Sequence, residues 1–205
     1  MKGIVHHAVY DTFADWETGH ATAHLRNGRY QREPGGYEIV TVGPTMDPVV
    51  SMGGLRVTPD LALDQLSPGC SALLILPGAD LWDTGPALAP FAAKAGEFLA
   101  AGVPVAAICG ATAGLAREGL LDGRDHTSAV LPYLAAQEGY AGAEHYLDRD
   151  AVLGGDLITA GPTEPVAFAR EIFRRLDVYR PEVLDAWFRL FGSSDASAFE
   201  VLMAA

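Results

Sequence analysis

The fold of this chain is decided by the stretch Gly102-Val-Pro-Val-Ala-Ala-Ile-Cys-Gly-Ala-Thr-Ala-Gly-Leu-Ala-Arg-Glu-Gly119. Residues 103–108 form a continuous apolar run after a glycine, which predicts a strand covered on both faces. Residues 111–118 are mostly good helix formers, and the glycine that follows them is a typical end signal. Cys109 therefore falls at the junction between a buried strand and a helix.

The residues around Cys109 fit a reactive cysteine on a sharp strand-to-helix turn. Such a turn requires small side chains where strand and helix cross, and Ala107 and Ala111 lie two positions before and after the cysteine. The turn places the thiol against free backbone N–H groups, which stabilise a thiolate. A free cysteine is also a common small core residue, but the small neighbours favour the functional interpretation.

Composition and charge restrict the class of protein. The chain has 205 residues, of which 49% are hydrophobic and 20% charged, so we expect a globular protein with a substantial core. The net charge of −12, without a basic cluster, argues against nucleic acid and anionic membranes as partners. No stretch reads as a signal peptide or membrane span. The only cysteines, Cys70 and Cys109, indicate no disulfide framework, so we expect a cytoplasmic protein in which Cys70 is structural.

Predicted strands and helices alternate along most of the chain. The principal strands cover residues 3–10, 37–42, 71–76 and 103–108. The principal helices cover residues 14–25, 88–101, 111–118 and 164–176. Smaller elements are a hairpin-like excursion over 49–66, a brief strand over 125–129, a short helix over 132–137 and a β-hairpin over 151–159. The alternation predicts a parallel sheet in which strands 71–76 and 103–108 are adjacent and central.

Three turns follow predicted strands, at residues 11–17, 77–80 and 109–110. In a parallel sheet these strand ends line one crevice. Five motifs lie along the chain: Ala-Asp-Trp-Glu17, Leu-Pro-Gly-Ala-Asp80, Ala-Ile-Cys-Gly-Ala-Thr112, Gly-Leu-Leu-Asp-Gly-Arg124 and Asp-Leu-Ile-Thr-Ala-Gly-Pro162. Together they resemble the ThiJ/PfpI superfamily, relatives of class I glutamine amidotransferases, and His126-Thr-Ser128 is similar to its bacterial amidotransferase-like branch.

The resemblance implies a fold and a set of site residues. The fold is a flavodoxin-like three-layer α/β/α sandwich with a mainly parallel central sheet and a nucleophile elbow. Cys109 matches the reactive cysteine of the family, and Glu17 matches the acidic residue that reaches its sulfur. The backbone N–H groups of Gly110 and Ala79 match the oxyanion-hole donors. Further crevice candidates are Gly78, Asp80 and Thr112, with no cofactor and no metal expected.

Two departures from the family pattern narrow the implied activity. Gly110 follows the cysteine, where the peptidase-like branch has a histidine, and His145-Tyr-Leu-Asp148 does not match the His-x-Glu of glutaminases. The resemblance therefore implies a cysteine hydrolase or lyase acting on a small amide, carbonyl or glyoxal-type substrate, rather than a peptidase or true glutaminase. The alternatives are an oxidative-stress protein whose cysteine is a redox sensor, and a chaperone-like binding module.

Several histidines have both a functional and a structural interpretation. His126 is a candidate general base, or it braces the end of a strand, and His145 is a weaker candidate of the same kind. Glu17, His20 and His24 are spaced i, i+3 and i+7, which could place metal ligands on one helix face. Because Glu17 is expected at the cysteine, a polar helix face is the favoured interpretation.

The charge state of Cys109 is the central chemical expectation. Free N–H groups at the turn should lower the pKa of its thiol, and burial should raise the pKa of Glu17. One proton would then be shared between the two groups, with the negative charge mainly on sulfur. Cys109 should accordingly oxidise before Cys70.

We expect a domain over residues 1–178 and a helical extension over 179–205, and the resemblance implies a homodimer. The extension has an apolar stripe of Val183, Leu184, Trp187, Phe188 and Phe191, which more often docks on its own domain than on a partner. Light scattering at micromolar concentration should give the mass of two chains, and the mass of one chain would contradict the dimer.

Overall fold

A seven-stranded sheet organises the structure, a computed structural model that describes residues 2–205. The strands of the structure are β1 (Ile4–Ala8), β2 (Glu38–Gly43), β3 (Val49–Val50), β4 (Arg56–Val57), β5 (Leu61–Ala62), β6 (Ser71–Leu76), β7 (Val105–Ile108), β8 (Ala151–Gly154) and β9 (Leu157–Ala160). Strands β3 and β4 pair with each other outside the seven-stranded sheet. The α-helices are α1 (Gly19–Asn27), α2 (Ala89–Ala100), α3 (Ala111–Arg117), α4 (Leu131–Ala135), α5 (Pro165–Arg175), α6 (Pro181–Ser193) and α7 (Phe199–Met203).

The sheet has the order β5-β2-β1-β6-β7-β9-β8 and is parallel except where β8 pairs with β9. Strands β6 and β7 are hydrogen-bonded neighbours inside it, as predicted. Their side chains alternate between two cores: Leu74 and Leu76 enter one, while Leu73 and Ile75 enter the other. Helices cover both faces, so the predicted three-layer α/β/α sandwich is confirmed.

Helix α1 begins later than the sequence pattern predicts. The prediction started the helix at residue 14, whereas the structure keeps residues 14–18 in a turn and starts α1 at Gly19. Long-range pairing explains the difference, because Phe13 bridges to Ala79 and the N–H of Ala14 donates to the Gly78 carbonyl at 2.8 Å. These contacts override local helix propensity and hold Glu17 next to the end of β6.

The smaller predicted elements are found with one exception. The excursion over residues 49–66 contains the antiparallel hairpin β3–β4, followed by β5 on the edge of the main sheet. The hairpin β8–β9 is present as predicted. The brief strand predicted over 125–129 is wrong, since its only pairing with the rest of residues 2–205 is an isolated bridge from His126 to Tyr146.

The C-terminal helices pack on the same chain. Trp187 of α6 is fully buried, and its ring lies 4.9 Å from that of Phe173 and 5.2 Å from that of His24. Part of the apolar stripe is therefore docked on α1 and α5, and a boundary at residue 178 remains a prediction. Among residues 2–205, no helix is both long and apolar enough to span a membrane.

Trp82 packs tightly against α3. Its ring is 1% exposed, and its indole N–H donates to the Pro77 carbonyl at 3.0 Å. The ring lies directly on α3, where a Cβ added at Gly114 would come within 2.2 Å of it. Only glycine leaves room for this contact.

Two helical glycines, Gly114 and Gly96, should therefore respond differently when each is replaced by alanine and the free energy of unfolding is measured. Gly114→Ala should destabilise the fold by about 1–3 kcal/mol, because the new methyl group overlaps the buried ring of Trp82. At Gly96 a Cβ meets only Leu120 at 3.5 Å, so Gly96→Ala should be neutral or stabilise by up to about 1 kcal/mol. Urea unfolding measures both, and equal values for the two variants would contradict the role of Trp82.

Candidate active site

Cys109 lies on the strained turn between β7 and α3. Its φ is +58°, a left-handed conformation that non-glycine residues seldom adopt. Ala107 and Ala111 on either side are fully buried, as the requirement for small side chains predicts. The strain is held by hydrogen bonds to the Cys109 backbone: its N–H donates to Ala160 at 3.1 Å, and its carbonyl accepts from the Thr112 hydroxyl at 2.7 Å. The turn therefore fixes the sulfur rather than leaving it on a flexible loop.

Gly78 allows two distant parts of the chain to meet at the sulfur. A Cβ at this position would lie 3.0 Å from Sγ of Cys109 and 2.9 Å from Oε2 of Glu17. The N–H of Gly78 donates to the same Oε2 at 2.6 Å. The glycine thus serves both as a spacer and as a donor, and it lines the crevice as predicted.

Glu17 is fully buried beside Cys109. Burial raises the pKa of its carboxyl to about 7, although the hydrogen bonds from Gly78 and the thiol favour the charged form. Its other oxygen, Oε1, has no hydrogen-bond partner in residues 2–205. The predicted increase in the pKa of Glu17 is confirmed, and a carboxyl that titrates near neutrality is suited to proton transfer.

The predicted decrease in the pKa of the Cys109 thiol is wrong. Burial, and then the charge of Glu17, raise this pKa to about 12, and the hydrogen bond from the Gly110 N–H only partly opposes them. The two groups therefore release a first proton near pH 7 and resist losing a second until about pH 12. Between these limits the pair holds one proton and one negative charge, and the chemistry of the site depends on moving that proton.

Two backbone N–H groups are the predicted oxyanion-hole donors, those of Ala79 and Gly110. Ala79 and Gly110 flank the strand ends that carry Gly78 and Cys109. Within residues 2–205, neither N–H donates a hydrogen bond to another backbone or side-chain oxygen, and that of Gly110 interacts with the sulfur. The Ala79 N–H is available to a charge that forms next to Cys109, and the Gly110 N–H already acts on the sulfur itself.

A crevice of about 250 Å³ opens above the sulfur. Glu17, Gly78, Ala79, Asp80, Cys109 and Gly110 line it, and all six were expected at the site. The rest of the lining consists of Asp83 and of residues that the sequence did not assign to the crevice, namely Ala14, Trp16, Met52, Ala129, Tyr133 and Pro162. Trp16 and Met52 are half-exposed, so they stand at its mouth.

Tyr133 and Asp83 form a polar pair in the crevice wall. The Tyr133 hydroxyl, carried by α4, donates to Oδ1 of Asp83 at 2.7 Å. Burial, followed by this hydrogen bond and the charge of Asp83, raises the pKa of Tyr133 well above its usual range. The hydroxyl is therefore neutral. Its hydrogen atom is used in the hydrogen bond to Asp83, and its lone pairs can accept further hydrogen bonds. Tyr133 and Asp83 are 50 positions apart in the sequence, so no local motif predicts their hydrogen bond.

The family of the chain follows from its match to known proteins. Residues 4–175 match the model of the DJ-1/PfpI family. The chain belongs to the DJ-1/PfpI family. It is 38% identical over 197 residues to the "Uncharacterized protease YoaZ" of Bacillus subtilis (strain 168), covering 95% of this chain and 93% of that protein.

Solved structures of this superfamily have the same fold. A thiJ/pfpI family protein from Bacillus anthracis matches with a TM-score of 0.94 and 36% identity, over 98% of this chain and 96% of that one. A DJ-1 superfamily protein from Agrobacterium tumefaciens matches with a TM-score of 0.83 and 35% identity, over 94% and 98% of the two chains. The resemblance inferred from the five motifs is confirmed.

In this member of the DJ-1/PfpI family, His126 does not reach the crevice. It is fully buried, with Nδ1 at 2.7 Å from the Arg124 carbonyl and Nε2 at 2.8 Å from the Tyr140 hydroxyl. Burial lowers the pKa of its imidazole. Both ring nitrogens are occupied, so the structural interpretation replaces the catalytic one. His145 lies 3.8 Å from Asp125, likewise outside the crevice lining.

Thr112 is also outside the crevice. Its side chain is fully buried below the turn, where the hydroxyl donates to the Cys109 carbonyl and lies 2.7 Å from the Ser128 hydroxyl. It supports the turn from behind and does not contact the space above the sulfur. The expectation that it lines the crevice is wrong.

The spacing of Glu17, His20 and His24 does not produce a metal site. Glu17 lies in the turn before α1, so the three residues do not share one helix face. The two histidine rings stack with centroids 6.4 Å apart and pack on Trp187 and Phe191. In residues 2–205, no three His, Cys, Asp or Glu side chains are grouped as metal ligands.

The pH dependence of alkylation should report the Glu17–Cys109 pair. Iodoacetamide should label Cys109 slowly at neutral pH, with a rate that rises towards about pH 12, because burial and the charge of Glu17 keep the thiol protonated. Glu17→Gln removes that charge, so the midpoint should move to lower pH, while burial of the sulfur still keeps it above the ~8.5 of an ordinary thiol. Mass spectrometry of the adducts gives both profiles, with Cys70 in the same samples as the control. The same midpoint in both proteins would show that Glu17 is not coupled to the sulfur.

Proposed function

We propose that this protein is a cysteine-dependent hydrolase or lyase that acts on small carbonyl compounds, including amides and glyoxal-type substrates. One observation carries the proposal: Cys109 is fixed at φ +58° beside a buried carboxyl whose pKa is about 7. Strain of this kind costs stability and is concentrated at functional sites. The two free cysteines fit a reducing compartment, so we propose that the enzyme acts in the cytoplasm.

The reaction would begin with attack of sulfur on the carbonyl carbon. As the C–S bond forms, the thiol proton of Cys109 moves to the carboxylate of Glu17, and the electron pair of the C=O π bond moves to oxygen. The N–H groups of Ala79 and Gly110 would donate to the resulting oxyanion. Glu17 would then return the proton, either to that oxygen to give a hemithioacetal or to the leaving nitrogen of an amide.

The single buried carboxyl has to serve as both base and acid in this scheme. Its pKa near 7 allows both roles at neutral pH, because each protonation state is well populated. Within the described chain, no histidine lines the crevice. This arrangement suits addition and elimination at a reactive carbonyl better than hydrolysis of an unactivated peptide bond.

The relatives with protease names provide the main alternative substrate class. The Bacillus subtilis proteins YoaZ and YdeA both have "Uncharacterized protease" as their name. The crevice of about 250 Å³ lies just below the range of about 300–1,000 Å³ that is usual for small-molecule sites, and a polypeptide needs a longer groove. We therefore place small molecules first and include peptides in the test.

A substrate panel should contain α-oxo aldehydes, small amides and an unfolded protein. We expect turnover of at least one small carbonyl compound, with a loss of about 10³-fold or more in kcat/KM for Cys109→Ser and about 10²-fold for Glu17→Gln. Cys70→Ser is the matched control and should retain full activity, since Cys70 is exposed and remote from the crevice.

Three other results would contradict this proposal. Turnover of the unfolded protein alone would make the chain a peptidase. Stoichiometric oxidation of Cys109 without turnover would favour the redox sensor. Turnover that survives Cys109→Ser would place the reaction elsewhere.

A further inference from the structure

We propose that the crevice selects small carbonyl compounds that carry a positive charge, such as a protonated amine, over those that carry a carboxylate. The inference rests on the proposed role of Cys109 as nucleophile, and it adds the charge class of the substrate. It depends on three features of the crevice wall: the sign of its charges, its aromatic side chains, and the excess of hydrogen-bond acceptors.

The charged side chains of the crevice wall are acidic. Glu17, Asp80 and Asp83 line it, and no lysine or arginine does so within residues 2–205. Arg117 is the cation next to this wall, but it lines the adjoining cavity and its guanidinium donates to the Trp82 carbonyl at 2.7 Å. An anionic substrate would therefore approach several carboxylates without a compensating cation.

Two aromatic side chains complete a surface suited to a cation. Trp16 stands at the mouth with 50% of its surface exposed, although large apolar side chains are normally buried. Tyr133 lies in the same wall. The faces of such rings attract ammonium and guanidinium groups, and the attraction is strongest for tryptophan. Carboxylates placed together with aromatic faces are typical of sites that bind cationic ligands.

The hydrogen-bonding groups of the wall point to the same class. Glu17 lines the crevice, and its Oε1 is buried with no hydrogen-bond partner among residues 2–205. The neutral Tyr133 hydroxyl donates its hydrogen bond to Asp83, so its lone pairs remain as acceptors. A buried acceptor without a donor costs free energy, and a substrate that brings N–H groups would recover it. The donors Ala79 and Gly110 remain for the carbonyl oxygen.

Charged thiol reagents test the selectivity without requiring turnover. The cationic (trimethylammonium)ethyl, anionic sulfonatoethyl and neutral methyl methanethiosulfonates each transfer their thioalkyl group to a thiolate and release methanesulfinate. The fraction of thiolate cancels in the ratio of any two rates at one pH. We expect the cation-to-anion rate ratio at Cys109 to exceed that at Cys70 by at least about fivefold at low salt, and the difference to shrink in ~0.5 M salt.

Variants assign the selectivity to the crevice. Asp80→Asn with Asp83→Asn should reduce the ratio at Cys109 by about fivefold and leave Cys70 unchanged, because the amides keep the shape and keep an acceptor for Tyr133. Trp16→Leu should slow the cationic reagent and not the neutral one. The matched control is Glu182→Gln with Glu200→Gln, in helices α6 and α7, which removes the same net charge away from the crevice. It should alter the rate ratio at neither cysteine.

The outcomes separate this inference from the proposed function. Equal rate ratios at Cys109 and Cys70 would overturn the inference whether or not the protein turns over a substrate. Faster turnover of carboxylate-bearing aldehydes than of amine-bearing ones would also overturn it. A high ratio at Cys109 with no turnover of any carbonyl compound would leave the charge selectivity standing and overturn the proposed function.

Discussion

The hydrogen bond from the Gly78 N–H to Oε2 of Glu17 joins the end of β6 to the turn before α1. Glu17 is fully buried, so without this donor its carboxyl would lose water and gain little in return. The carbonyl of Gly78 accepts from Ala14, which anchors the same turn a second time. Because Gly78 has no side chain, the sulfur of Cys109 can occupy the remaining space. The crevice exists only where these three segments meet.

Burial determines the chemistry as well as the geometry. The same desolvation that raises the pKa of Glu17 to about 7 also raises that of the thiol, so the two groups compete for one negative charge. An exposed carboxyl would be ionised at neutral pH and would rarely return a proton. The fold thus obtains an acid and a base from a single side chain by placing it beside sulfur and away from water.

The sequence was most informative where local chemistry decides the structure. Continuous apolar runs identify β6 and β7 because strands covered on both faces have no polar side, and the alanines around Cys109 identify the turn. Glu17 came from the family resemblance, since no local pattern pairs it with a residue so far along the chain. Tyr133 and Met52 were missed because hydrogen bonds over long separations bring them to the crevice. His126 was a candidate base because histidine often transfers protons at active sites. Only its hydrogen bonds with the Arg124 carbonyl and the Tyr140 hydroxyl show that it is structural.

The three tryptophans of the chain differ sharply in their surroundings, and this gives the molecule an internal optical reporter. Trp82 and Trp187 are buried, whereas half of the Trp16 surface meets solvent at the crevice mouth. The red-shifted part of the intrinsic fluorescence, and the part that a dissolved quencher reaches, therefore originate mainly from Trp16. A small molecule that enters above Cys109 would shield that indole and leave the other two unaffected. Occupancy of the crevice can thus be followed by emission from the native chain, without a label.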